Sequence, residues 1–282
     1  MTKREILGKK KNGVSINIGL KYRKICGISF FGSNVTELLR VLDERRCQDE
    51  VKTWLTTVNT EFIMATISDK KFLEVINKSD IRVVDGIGLI WAFEVLKSPK
   101  GFGRWLRALK VGVEILGGKR RESLISGSDL ITDLCKFGIQ KNEKFFFLGG
   151  WKNRAAESGK FLAEKFKGLK YEFSPGGPTI KNDEVIKKIN IFRPDYLLVA
   201  YGMKRQEEWI EKNLKYLNVK VVVGVGRSFD YYSGALKRAP GWVRKMGLEW
   251  LYSLLKEPKR WRRQLQLPRF IWMVMTKNCQ ER

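Results

Sequence analysis

Residues 195–202 read Asp-Tyr-Leu-Leu-Val-Ala-Tyr-Gly, an apolar run between an aspartate and a glycine. Because a strand that is apolar along its whole length is buried on both faces, this run is typical of a parallel sheet with helices on each side. Further β-rich runs occur at 52–58, 81–84, 144–148 and 219–223. Stretches of helical periodicity separate them, among which are 60–77, 128–140, 154–167, 182–192 and 206–216. The alternation predicts an α/β fold: a Rossmann-like, mostly parallel sheet with helices on both faces.

A small or polar loop follows each of these five predicted strands. The loops contain Thr57-Val58-Asn59, Asp85-Gly86-Ile87-Gly88, Gly149-Gly150, Gly202 and Gly224-Val225-Gly226. Ligands of open α/β sheets bind outside the carboxyl ends of the strands. Glycine also ends strands that bind nothing, so each loop taken singly has a purely structural interpretation. Five such loops together predict one binding crevice.

Asp85 is the carboxylate in this crevice that is best placed for chemistry. It follows a strand directly and has apolar neighbours, so burial would raise its pKa and suit it to act as a general base. Asp is also a favoured N-cap, and a helix is predicted to start near Ile87, so both interpretations stay open. Thr57 and Asn59 could likewise bind a substrate or make local turn hydrogen bonds.

Two polar residues follow the later strands. Gln206 would face the crevice from the first turn of a helix, unless it belongs to a solvated turn, and Asp230 comes seven residues after the last predicted strand. The glycine pairs do not complete a G-x-G-x-x-G motif, and the chain has neither a Walker A sequence nor an Asp-x-Asp pair. A nucleotide here would need backbone amides, helix N-termini and Arg or Lys to hold its phosphates.

The composition excludes several classes of site. The 282 residues include 55 Lys and Arg, 30 Asp and Glu and no His, for a formal charge of +25. Without His, the chain cannot build a Ser-His-Asp triad or a His-ligated metal site. Its four cysteines form no C-x-x-C pair, so we expect neither a zinc site nor a disulfide framework. We expect the protein to lie in a reducing cytosol. The charge points to an anionic partner: nucleic acid, lipid or a phosphorylated substrate.

Much of this charge lies towards the two ends of the chain. The first 27 residues contain eight Lys and Arg against one Glu, and residues 236–282 contain twelve against three, with four of the nine Trp. Trp beside Lys and Arg is favoured at membrane interfaces, with single-stranded nucleic acid or a packed helical layer as alternatives. We predict a basic N-terminal extension (1–23), an α/β catalytic domain (24–235) and a basic, helical, membrane-associating C-terminal appendage (236–282). No uncharged run is long enough to span a bilayer.

Six ordered motifs resemble the WecG/TagA/CpsF family of bacterial glycosyltransferases over roughly residues 24–275. They are Thr57-Val58-Asn59, Asp85-Gly86-Ile87-Gly88, Gly127-Ser128-Asp129-Leu130, Phe147-Leu148-Gly149-Gly150, Pro194-Asp195-Tyr196-Leu197 with Gly202 to Glu207, and a long block from Gly224 through Arg260. Two positions depart from the pattern, since Lys204 replaces a proline and Ser253 replaces an arginine. The family pattern does not account for residues 97–121.

The resemblance implies an inverting, metal-independent transferase without a cofactor. It would move an N-acetylmannosamine-type sugar from a UDP donor to N-acetylglucosamine on undecaprenyl diphosphate, for teichoic acid or another cell-surface polysaccharide. The implied partners are the UDP-sugar, the lipid-linked acceptor and an anionic membrane surface, with a homo-oligomer as an option and no nucleic acid. The implied location is peripheral, on the cytoplasmic face of the bacterial membrane. A different UDP-sugar donor and a basic nucleic-acid-binding protein are the alternatives.

The resemblance also implies roles for individual residues. Asp85 would be the general base for the acceptor hydroxyl, and Thr57 would lie close to the donor sugar. Asp230 would contact the uracil. The other implied substrate-binding residues are Asn59, Gly149, Gly150, Gly202, Arg205, Gln206, Gly224 and Gly226. Those implied to bind the acceptor diphosphate are Arg238, Arg260 and Arg263, and no metal ligand is implied.

Overall fold

A computed structural model describes residues 22–48, 51–176, 182–258, 261, 265–277 and 279. Its strands are β1 Tyr22–Ile25, β2 Ile28–Phe31, β3 Thr53–Val58, β4 Ile81–Val84, β5 Lys144–Gly149, β6 Lys170–Ser174, β7 Tyr196–Ala200 and β8 Val221–Gly224. The last six form one sheet in the order β4-β3-β8-β7-β5-β6, with every neighbouring pair parallel. The predicted α/β class is confirmed.

Helices connect and flank the strands. They are α1 Val35–Arg46, α2 Thr60–Ser68, α3 Lys70–Lys78, α4 Ile87–Val95, α5 Phe102–Leu116, α6 Gly127–Gln140, α7 Arg154–Lys165, α8 Asn182–Phe192, α9 Arg205–Asn213, α10 Ser228–Tyr232, α11 Gly241–Lys245, α12 Glu249–Lys256 and α13 Gln266–Thr276, with a 3₁₀ turn at Leu214–Tyr216. The predicted helix over 60–77 is two helices, because Asp69 ends α2 and its carboxylate caps the Phe72 N–H of α3.

The sheet is covered on both faces, as its apolar strands predict. In β7, Tyr196 and Leu198 are buried in a core shared with α1, α6, α7 and α10. Leu197 and Val199 are buried in a core shared with α8 and α9. Because each face of the strand packs against a core, the residues of Tyr196–Ala200 are all aliphatic or aromatic.

The chain leaves the neighbouring strands β3 and β8 towards opposite faces of the sheet. After β3 it enters α2, whose Phe62 and Ile63 are buried on the face of the sheet to which Leu197 and Val199 point. After β8 it enters α10, whose Phe229 is buried on the face to which Tyr196 and Leu198 point. Divergence of two adjacent connections opens a crevice at the carboxyl end of the sheet, which is where α/β proteins bind ligands.

Strands β1 and β2 form an antiparallel hairpin that was not predicted. Its two-residue turn is Cys26-Gly27, with φ values of 48° and 81°. Both turn residues therefore occupy the left-handed region that a type I′ turn requires. Residues 1–21 of the predicted N-terminal extension lie outside the described residues, and β1 begins at Tyr22.

Helix α13 is part of the core, which agrees with the packed helical layer that the sequence left open as an alternative for this part of the chain. Its Phe270 and Val274 are fully buried together with Phe30 from β2. Beyond the helix, the Cys279 carbonyl accepts a hydrogen bond of 2.6 Å from the Cys26 N–H. The helical character of the C-terminal part is confirmed for α11, α12 and α13. The boundary at residue 236 and the membrane association stay predictions.

We expect Phe270→Ala to lower the free energy of unfolding by about 3 kcal/mol, because it replaces a buried ring with a cavity. Trp272→Ala in the same helix is the matched control, since Trp272 is 64% exposed. It should change the stability by less than about 0.5 kcal/mol. Urea unfolding followed by circular dichroism measures both. Equal effects of the two substitutions would contradict the packing of α13 into the core.

Candidate active site

A cleft of about 540 Å³ opens at the carboxyl ends of β3, β4, β7 and β8. It lies where the crevice was predicted. The structure brings together seven of the predicted site residues in its lining, namely Thr57, Asn59, Asp85, Gly202, Gln206, Gly226 and Arg238. Three arginines that sequence reasoning did not select also line it, Arg121, Arg227 and Arg244. Asp85 thus shares one cavity with several cationic side chains.

Asp85 continues the line of β4 and points its carboxylate into the cleft. Its N–H donates to the Val58 carbonyl at 2.8 Å, and its Oδ1 accepts a long hydrogen bond of 3.4 Å from the Gly127 N–H. The N-cap of α4 is Gly86, at φ +114°, with no side-chain capping bond. The capping interpretation of Asp85 is therefore wrong, and its carboxylate stays available to a substrate.

The surroundings of Asp85 make it a stronger base than an ordinary aspartate. Burial raises its pKa to about 6, and the nearby charge of Glu249 adds to this effect. The Gly127 N–H and the positive charge of Arg238 act in the opposite direction. A carboxyl group with a pKa near 6 is largely ionised at neutral pH and can accept a proton from a hydroxyl in the transition state.

Thr57 and Asp85 both face the first residue of α6. A Cβ at Gly127 would lie 3.4 Å from Thr57 Oγ1 and 3.7 Å from Asp85 Oδ2, so both side chains approach this backbone closely. The Thr57 hydroxyl donates to the Gly224 carbonyl at 3.0 Å. Its proton is therefore directed at β8, and its lone pairs can accept a hydrogen bond from a ligand.

Arg238 is held at the cleft by a bidentate ion pair with Asp129. Its Nη2 lies 2.8 Å from Asp129 Oδ2 and 3.2 Å from Ser126 Oγ, and its Nη1 lies 2.5 Å from Asp129 Oδ1. Arg244 lies 3.5 Å from the same carboxylate, and Glu249 lies 3.4 Å from Arg238 Nε. These contacts use the fork of the guanidinium and fix Arg238 in position, with its positive charge at the edge of the cleft.

The sequence of the chain shows its family. The sequence model of the glycosyl transferase WecG/TagA/CpsF family matches residues 23–102 and 107–282. The chain belongs to the WecG/TagA/CpsF family. The resemblance drawn from the six motifs is confirmed, and so is the assignment as a glycosyltransferase. The family match favours a transferase over the nucleic-acid-binding alternative.

Three similar proteins share the name N-acetylglucosaminyldiphosphoundecaprenol N-acetyl-beta-D-mannosaminyltransferase. The protein of Bacillus spizizenii is 29% identical over 256 residues, which cover 91% of each chain. That of Bacillus subtilis strain 168 is 28% identical over 252 residues, 89% of this chain and 90% of the relative. That of Staphylococcus aureus strain MRSA252 is 29% identical over 222 residues, 78% and 79% of the two chains.

Gln206, which lines the cleft, and Glu207 form a buried polar pair. Gln206 Oε1 accepts from the Gly226 N–H at 2.9 Å, and its Nε2 donates to Glu207 Oε1 at 2.9 Å. Glu207 Oε2 also accepts from Trp54 Nε1 at 3.1 Å and Thr56 Oγ1 at 3.2 Å. Burial raises the pKa of Glu207 to about 7, against the effect of these donors. The pair fixes the loop after β8.

Sequence reasoning passed over Glu207, although it ends one of the family motifs. It occupies the first turn of α9, where acidic side chains usually face solvent and stabilise the helix N-terminus. A signal was available in Gly224, whose missing side chain leaves the space that Glu207 and Gln206 fill.

We expect Gly224→Ala to displace this pair. A Cβ at residue 224 would collide with Glu207 Oε1 and lie 2.6 Å from Gln206 Nε2. The free energy of unfolding should fall by about 1–3 kcal/mol. Sugar transfer should fall by about tenfold or more, because the Gly226 loop loses its support. Gly241→Ala is the control, since its Cβ would meet nothing within 4 Å. Two equally active and stable variants would argue against the pair as a support of the site.

The family's proline is Lys204 here, and the turn before α9 differs accordingly. Lys204 has φ +71°, a conformation closed to proline, whose ring fixes φ near −65°. Its Nζ pairs with Asp69 at 2.7 Å. The adjacent Arg205 is exposed, with its guanidinium beside Gly202. Its role in substrate binding stays a prediction.

Asn59 has the local role that was left open for it. Its Oδ1 accepts from the N–H groups of Glu61 and Phe62 at 3.0 and 3.2 Å, so it caps α2. Asn59 also lines the cleft. Contact with a substrate stays a prediction beside this confirmed structural role.

Other predicted residues lie around the cleft without lining it. Gly149 and Gly150, at φ +96° and +74°, turn the chain at the end of β5 beside β7. The Asp230 carboxylate pairs with Arg154 and, at 3.3 Å, with Arg227, which lines the cleft. The uracil contact of Asp230 stays a prediction. Arg260 and Arg263 lie outside the described residues.

The prediction that no metal takes part also stays untested. Within the described ranges, no group of three or more Asp, Glu or Cys side chains is arranged to hold a metal ion. The cationic groups in the cleft are arginines, which can neutralise phosphate charge.

Proposed function

We propose that the chain transfers N-acetylmannosamine from a UDP donor to the N-acetylglucosamine of N-acetylglucosaminyl-diphosphoundecaprenol, in the biosynthesis of a cell-surface polysaccharide or teichoic acid. The observation that carries the proposal is Asp85: a carboxylate with a raised pKa, in a cleft that arginines also line. The name that the relatives share supplies the sugar and the acceptor. The UDP donor is the one that the resemblance of the six motifs implies.

The proposed chemistry is a single displacement. The acceptor hydroxyl oxygen forms a bond to the anomeric carbon of the donor, while its proton passes to an Asp85 oxygen. The bond from the anomeric carbon to the diphosphate breaks, and the electron pair leaves on the UDP oxygen. One displacement inverts the anomeric configuration and needs no covalent intermediate, so a single carboxylate base is sufficient.

Charge on the leaving diphosphate is the second requirement of this reaction. Arg227 lines the cleft, and its guanidinium is held in place by ion pairs with Glu257 and Asp230. Prearranged cations of this kind stabilise developing negative charge without reorganising during the reaction. We propose that Arg227 serves this purpose in place of a metal ion, and that Arg238 binds the diphosphate of the acceptor.

The lipid-linked acceptor places the proposed reaction at a membrane surface. No helix among the described residues is both long enough and apolar enough to cross a bilayer. With a charge of +25, the protein would be attracted to anionic headgroups. We therefore propose peripheral attachment at the cytoplasmic face.

A donor screen tests the proposed function. Purified protein is incubated with the lipid-diphosphate acceptor and, separately, with UDP-N-acetylmannosamine, its uronic acid or UDP-glucose, with and without a chelator. We expect product with UDP-N-acetylmannosamine and equal rates with chelator. If product formed only with a different UDP-sugar, the alternative donor would be favoured. Loss of activity on adding chelator would contradict the metal-free mechanism. Salt-sensitive DNA binding without any transfer would overturn the proposal.

A further inference from the structure

Helix α5 has an outer face that is apolar and uncovered. We define its apolar stripe as Phe102, Trp105, Leu106, Leu109, Val113 and Leu116. Phe102, Leu109 and Val113 are 77%, 70% and 61% exposed. At 100° per residue, all six lie within about a 100° sector of the helix, the width of a face that normally packs against something. The helix falls in the 97–121 stretch that the family pattern left unexplained, and the family match omits residues 103–106 inside it.

The opposite face of α5 fixes the helix to the protein. Val111 and Ile115 are buried, and the buried Arg104 donates to the Val274 carbonyl of α13 at 3.1 Å. The indole N–H of Trp91 in α4 donates to the Ala108 carbonyl at 3.1 Å. The helix is therefore anchored along its length. Its apolar stripe is the exposed face of a packed helix and not part of a frayed segment.

The charges around the apolar stripe indicate its partner. Residues 97–121 contain eight Lys and Arg against one Glu. Lys100, Lys110 and Lys119 are exposed beside the stripe, and Trp105 lies within it. Lys and Arg around an apolar face with Trp is the pattern of a helix that lies in the interface of an anionic bilayer. A helix of 15 residues is about 22 Å long, which suits lying flat on the surface and not spanning it.

One end of α5 lies next to the cleft. A Cβ at Gly247, which lines the cleft, would lie 3.1 Å from Ile115. Arg121, just after the helix, also lines the cleft and donates to the Lys245 carbonyl at 3.2 Å. A bilayer in contact with the apolar stripe would therefore lie beside the cavity into which, on the proposed function, the lipid diphosphate enters.

We propose that the apolar stripe of α5 is a membrane-docking surface that seats the enzyme on an anionic bilayer beside its cleft. This extends the proposed function by naming where the bilayer lies. A second copy of the chain fits less well. A twofold contact through this face would bring the same basic residues of two copies together, and like charges across an interface are unfavourable.

Vesicle co-sedimentation of the full chain tests the proposal. The probes are phosphatidylcholine vesicles with and without phosphatidylglycerol. Leu109→Gln is compared with Ile191→Gln on α8, a matched control because Ile191 is 74% exposed. The triple variant Phe102→Gln, Leu109→Gln, Val113→Gln should bind phosphatidylglycerol vesicles at least about tenfold more weakly than the wild type, and Leu109→Gln severalfold more weakly. Ile191→Gln should bind like the wild type.

UDP binding and thermal unfolding are measured in parallel and should be unchanged, because the stripe makes no contribution to the cleft or the core. Unchanged vesicle binding by the triple variant overturns the proposal, as does an equal loss in Ile191→Gln. A shift from dimer to monomer in sedimentation, with vesicle binding unchanged, would assign the stripe to a second copy instead. Failure of the wild type to transfer sugar would contradict the proposed function. The vesicle result would still test the docking surface, because it does not depend on sugar transfer.

Discussion

Asp85→Asn is expected to lower kcat by about 10²–10⁴-fold, because it removes the group that takes the acceptor's proton. The affinity for UDP should stay within about twofold, since the substitution keeps the shape of the side chain and its contact with the Gly127 N–H region. Isothermal titration with UDP and a transfer assay with the lipid-diphosphate acceptor separate the two quantities.

Asp133→Asn is the matched control for this substitution. Asp133 lines the same cleft, and burial raises its pKa as it does that of Asp85, helped by the charge of Asp129. It lies on α6 and not at the end of a sheet strand. We expect nearly normal turnover for Asp133→Asn. If it lost activity while Asp85→Asn kept it, the base would be reassigned to α6.

The pH dependence follows from the raised pKa of Asp85, which is about 6. Only the ionised carboxylate can accept a proton, so kcat in the wild type should fall about tenfold per pH unit below that value. Above it, this group should leave the rate independent of pH. The acid limb should be absent from the residual activity of Asp85→Asn, and a limb that persists would belong to another group.

The same pKa shift predicts an effect on stability. The pKa of Asp85 is higher in the folded chain than its ordinary 3.8, so ionisation costs the folded state free energy. Well below pH 3.8 the group is protonated in both states and there is no penalty. The penalty grows as the pH rises from about 3.8 to about 6 and is constant above that. The free energy of unfolding of Asp85→Asn should therefore be about 1–3 kcal/mol higher than that of the wild type at pH 7–8. This difference should become smaller towards pH 4. Denaturant unfolding at the two pH values measures it.

The sheet could be predicted where its strands are buried on both faces. The apolar run ending at Tyr201 and its four companions are strands, and the loops after them meet at one end of the sheet. Strand β6 was not predicted, because Lys170–Ser174 lies at the edge of the sheet and is only partly buried, with a charged residue at its start and another at its centre. The β1–β2 hairpin was not predicted because its strands are short and because Cys26 is an unusual residue for a left-handed turn position.

The site could be predicted where a residue follows a strand, and not where tertiary folding brings a residue back. Asp85 and Thr57 lie at strand ends, so the parallel sheet alone places them together. Arg121 and Arg244 reach the cleft from separate parts of the chain, and no local pattern marks them among so many basic residues. Glu207 was missed because its burial depends on the close approach of β8.

Arg238→Ala should lower kcat/KM for the lipid-diphosphate acceptor by about 10²–10³-fold, because it removes a fixed positive charge from the cleft. Arg238→Lys keeps the charge but not the fork geometry, so it should recover only part of this loss. The affinity for UDP should change much less than the KM for the acceptor. A large change in the affinity for UDP with little change in the KM for the acceptor would assign Arg238 to the donor diphosphate.

Arg238 also lowers the pKa of Asp85, which gives a readout that loss of packing alone would not produce. Without this positive charge the pKa of Asp85 should rise further, so the acid limb of Arg238→Ala should move to higher pH. Glu249→Gln is the opposite control, because Glu249 raises the pKa of Asp85 and its neutralisation should move the limb to lower pH. The pH profiles of transfer by the two variants should therefore shift in opposite directions from that of the wild type. Shifts in the same direction would show that at least one of the two charges does not act on Asp85 as the structure indicates.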